Sequence, residues 1–134
     1  MLVKPITVRL LAYGTKANIA AITSRAADVL RDEHGSADET AFVPMPAADV
    51  YAEIIGTRWD SDVELKKPSA SQAGIAITLG RVHERLTTEW LFELPVAKSC
   101  VVFATWESQR DPVAWQVLIA QGDRWSDNRP RTET

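Results

Sequence analysis

The sequence predicts an α+β fold, with an N-terminal strand and two helices packed on a C-terminal antiparallel β-meander. Three patterns predict it. Ile6, Val8 and Leu10 alternate with Thr7, Arg9 and Leu11; Ile19, Ile22, Ala26, Val29 and Leu30 recur at helical steps; and Val113, Trp115, Val117 and Ile119 restore the period of two. A chain of 134 residues, 46% hydrophobic and 25% charged, is long enough to bury one core without metals or disulfides.

The first strand is expected over residues 2–12. Gly14-Thr15 breaks it, and the Thr15 hydroxyl is placed to cap a helix over 16–33. Gly35 can end that helix, because glycine accepts the left-handed backbone of a C-terminal cap. Residues 36–40 read as a loop and Ala41-Phe42-Val43 as a short strand limited by Pro44 and Pro46. Pro46 suits the first turn of a second helix, whose face of Val50, Tyr51, Ile54 and Ile55 stops at Gly56. Residues 57–71 read as an extended loop, with a brief strand around Val63 and Leu65.

The stretch 71–94 admits more than one period. Gln72, Ile75, Ala76, Leu79, Gly80 and Leu86 outline a helix-turn-helix at about 71–91, which followed by a β-hairpin makes a helix-rich alternative fold. Ile75, Leu79, Val82, Leu86 and Trp90 also fit the stripe of one long helix. Against the motif, Arg81 and Glu89 fall where apolar residues are needed, and Gly74 within the first helix costs about 1 kcal/mol relative to alanine. Read at period two, Ile75, Ile77 and Leu79 form one strand and Leu86 to Leu94 another, giving the helices a sheet to cover.

Residues 98–106 form a strand with the apolar run Cys100 to Phe103, and 113–119 its hairpin partner, with Trp106 and Trp115 flanking the turn. Gly122-Asp123 turns the chain and Trp125 docks back. One domain over 1–125 and a polar, flexible tail over 126–134 complete the expected organisation.

A formal net charge of −3 disfavours broad phosphate binding, which needs a basic face. The single cysteine, Cys100, precludes an intrachain disulfide and points to a reducing compartment. With no long apolar core near the N-terminus, the expected location is the cytoplasm. Cys100 sits in an apolar strand, where a buried, inert thiol is the simplest reading. Two histidines are too few and scattered for a zinc site, and Asp60, Asp62 and Glu64 lack the glycine and terminal glutamate of a calcium loop. No metal or cofactor is expected, and no phosphate loop, nucleophile elbow or dinucleotide fingerprint is present.

Four of the five tryptophans lie near turns or loops, where aromatic side chains serve as binding anchors. With the neighbouring acids, the candidate surface is Trp59, Asp60, Asp62, Trp106, Glu107 and Trp125. The first functional expectation is a non-catalytic protein that binds another protein or a second copy of itself. Accessory, inhibitor and immunity-type proteins of bacteria and their mobile elements share this profile. The alternatives are a DNA-binding regulator contacting DNA through Arg81, His83 and Arg85, and a ligand-binding protein or enzyme with a pocket between sheet and helices.

Overall fold

The computed structural model describes residues 6–34, 40–57, 63–82, 91, 93–108, 114–120 and 122–128. Its elements are β1 (Ile6–Gly14), α1 (Lys16–His34), β2 (Thr40–Pro46), α2 (Ala47–Thr57), β3 (Ala73–Val82), β4 (Val101–Ser108), β5 (Ala114–Ala120) and β6 (Asp123–Asn128). The described strands make one six-stranded sheet in the order β2-β3-β1-β4-β5-β6. Every neighbouring pair is antiparallel, and β4, β5 and β6 form the C-terminal meander. The α+β fold class is therefore the one adopted.

The N-terminal strand is not at an edge. Leu10 of β1 stands opposite Ile77 of β3 on one side and Ala104 of β4 on the other. The chain must then cross β1 to pass from β3 to β4, because those two strands flank it.

The helices take opposite faces of the sheet. Ile19, Ile22 and Ala26 of α1 pack with Val8, Leu10, Ala12, Ile77, Val102 and Ile119. Ala47, Val50 and Ile54 of α2 pack with Leu11, Tyr13, Ala76, Phe103 and Leu118. Each central strand thus needs apolar residues at both parities. That is why Leu10 to Tyr13 and Val101 to Ala104 are unbroken apolar runs, all of them buried.

Local chemistry sets the boundaries. The Thr15 hydroxyl accepts a hydrogen bond from the Asn18 amide at 3.2 Å, satisfying one of the open donors at the start of α1. Pro44 and Pro46 fall inside β2, which runs further than expected, and they are tolerated because β2 is an edge strand. Pro46 ends β2 one residue before α2 begins, so it stands just outside the first helical turn. Gly74 allows α2 to lie close on the sheet: a Cβ there would come within 2.6 Å of Val50 Cγ2 and 2.9 Å of the Met45 carbonyl oxygen.

The contested stretch resolves as strand where it is described. Ala73–Val82 is β3, hydrogen-bonded between β1 and β2. The first helix of a helix-turn-helix and the single long helix are both overturned, and with them the helix-rich alternative. β-Branched residues and double-sided burial outweigh the helical outline here, as Ile75, Ala76, Ile77 and Leu79 are all buried. The second predicted strand, over 86–94, is corrected at its described end. The Leu94 amide donates to the Leu91 carbonyl at 3.2 Å in a tight turn, and both leucines are buried in the α1-side core. Residues 83–90 lie outside the described residues. Val63 and Leu65 form no strand but are buried in the α2-side core. β6 extends to Asn128, so three residues assigned to the tail belong to the sheet.

Candidate binding surface beside the second helix

Successive rows of the α2-covered face change from apolar to polar. Leu11, Phe103 and Leu118 stand side by side in the α2-side core. Two residues along, Arg9 stands opposite Thr78 and Thr105, and Thr105 opposite Gln116. α2 begins against Gly74 in the apolar part and ends over this polar row. There the Gln116 Nε2 donates to the Thr57 carbonyl at 2.6 Å. That bond serves two needs, since Gln116 is a buried amide and Thr57 is the last residue of the helix, where carbonyls lack helical partners.

One turn earlier, Glu53 meets Arg9. Arg9 Nε and Nη2 donate to the two carboxylate oxygens at 2.6 and 2.8 Å, and Nη1 donates to Thr78 Oγ1 at 3.2 Å. The fork geometry is that of a bidentate guanidinium–carboxylate pair. Hydrogen bonding to Arg9 holds the Glu53 carboxyl below its ordinary range despite partial desolvation, and the same bonds raise Arg9. The side chains remain 39% and 30% exposed, so the pair is open to solvent and to salt.

From this pair a strip runs to the sheet edge. Thr78 stands opposite Ala41 of β2, and Ala76 opposite Val43. Ala41 and Pro44 are exposed and Val43 is 50% exposed, while β2 carries no charged residue in TAFVPMP. The strip thus combines an uncharged edge strand, an open valine and a half-open ion pair. On the other flank of α2, Ile55 is 47% exposed and Tyr51 packs edge-on to Tyr13 with ring centroids 6.0 Å apart.

The sequence-predicted surface maps differently. Trp106 is fully buried in the α1-side core, opposite Trp115 across β4 and β5, and is corrected from surface anchor to core residue. Its parity on β4 is that of Val102 and Ala104, which α1's side of the sheet needs for its core. Glu107 takes a position in β4 opposite Thr7 and Ala114, and Trp125 a position in β6. Trp59, Asp60 and Asp62 lie outside the described residues. Among the DNA-contact candidates, Arg81 is in β3, and His83 and Arg85 lie outside the described residues.

Cys100 is buried, and desolvation pushes its thiol up to about 11, which keeps it protonated at neutral pH. The described residues contain no group of three metal-ligating side chains. Sequence reasoning misses Arg9 and Glu53 because they are 44 residues apart. The sequence signal for the pair is that Arg9 is the one charged residue of β1. Comparison with protein-family models, curated proteins and solved structures finds no match.

Proposed function

We propose that the protein acts by binding a macromolecular partner, another protein or a second copy of the chain, rather than by catalysis. The observation that carries this reading is the strip of Ala41, Val43 and Thr78 beside the Arg9–Glu53 pair. A half-exposed valine on an uncharged edge strand is an apolar contact point, and the ion pair, joined to the strip through Thr78, supplies a polar rim. Other features fit a binding role. Arg9 and Glu53 hold each other and α2, and the Cys100 thiol is buried and protonated. The spaces between sheet and helices, where a ligand pocket would have to form, hold the core side chains of Ile22, Val50, Ile54 and Leu94.

The DNA-binding reading has lost its structural basis in β3. Pairing along the whole of β2 is also disfavoured. Pro44 and Pro46 lack the amides that an added strand would need, so contact through side chains is the mode that the strip supports.

The test compares the wild-type protein with Val43→Lys, after both are shown to melt alike. A binder enriched from cells of the source and then purified, or self-association followed by sedimentation, is titrated against each. The expected result is at least a tenfold weaker complex for Val43→Lys. Equal affinity for both would remove the strip from the interface. A large, saturable melting shift with a small metabolite would favour the ligand-binding alternative instead.

A further inference from the structure

We draw no further inference here: the strongest candidate, the surface strip of Ala41, Val43 and Thr78 between α2 and the β2 edge, belongs to the site already described, and nothing in the structure shows which partner covers it.

Discussion

Gly56 and Gly74 make opposite predictions from the same residue type. A Cβ at Gly74 would strike Val50 Cγ2 and the Met45 carbonyl oxygen, and the carbonyl is backbone that cannot rotate away. Gly74→Ala should therefore lower the unfolding free energy by about 1–3 kcal/mol, the cost of overpacking. Gly56 lies in α2, where an added Cβ would meet nothing within 4 Å and the backbone has no positive φ. Gly56→Ala should raise stability by about 0.4–1 kcal/mol, mainly by restricting the unfolded chain. Urea denaturation of the two variants checks both signs at once. Cys100 adds a pH dependence at the same scale. Its folded pKa, about 11, lies above the ordinary value of 9.0, so the folded state holds its proton longer than the unfolded state does. The stabilising contribution is complete below about pH 9 and is lost as pH rises through about 11. Replacing Cys100 by serine or alanine should flatten the alkaline side of the stability profile, measured from about pH 8 to about 11.

At the scale of elements, α2 is held by unlike contacts at its two ends. Near its start, Ala47 and Val50 press on Gly74; toward its end, Glu53 and the Thr57 carbonyl are clasped by Arg9 and Gln116. Because the ion pair is partly exposed, it is worth only about 0.5–1 kcal/mol after screening by solvent. Glu53→Gln should speed amide exchange in the last turn of α2 by about two- to fivefold, that energy expressed as a population, while leaving exchange in β1 and β3 unchanged. Uniform acceleration across the chain, or none, would contradict a local clasp. The Glu53 pKa is lowered in the folded state, so the pair's contribution is present above the ordinary value of 4.5 and is lost as pH falls through the folded pKa. Added salt should weaken the same contribution at neutral pH.

The element pattern is largely legible in the sequence, for reasons visible in particular residues. Ile19, Ile22 and Ala26 predict α1 because they recur at helical steps and are the buried face of its described side chains. The β4–β5 hairpin is legible because Trp106 and Trp115 do stand opposite each other. Three features are not legible. Leu91 and Leu94 read as strand residues because a tight turn that buries two leucines and a strand both need apolar side chains, and periodicity cannot separate them. The fate of Trp106 is hidden because both faces of the sheet are covered, so neither parity of β4 marks the outside. The Arg9–Glu53 pair and the Val43 strip depend on which strands adjoin β1 and β3, and local patterns do not encode that order.

At the scale of the whole molecule, β3 between β1 and β2 links the two apolar cores and places the strip beside α2. Val43→Lys should leave the unfolding free energy within about 0.5 kcal/mol of wild type, because the valine is 50% exposed and belongs to neither core. Everything else rests on the strand at 73–82, and backbone NMR tests it most directly. The expected result is strand chemical shifts across Ala73–Val82, with interstrand contacts linking Ile77 to Leu10 on one side and to Phe42 on the other. Helical shifts and sequential amide–amide contacts through the same residues would contradict it.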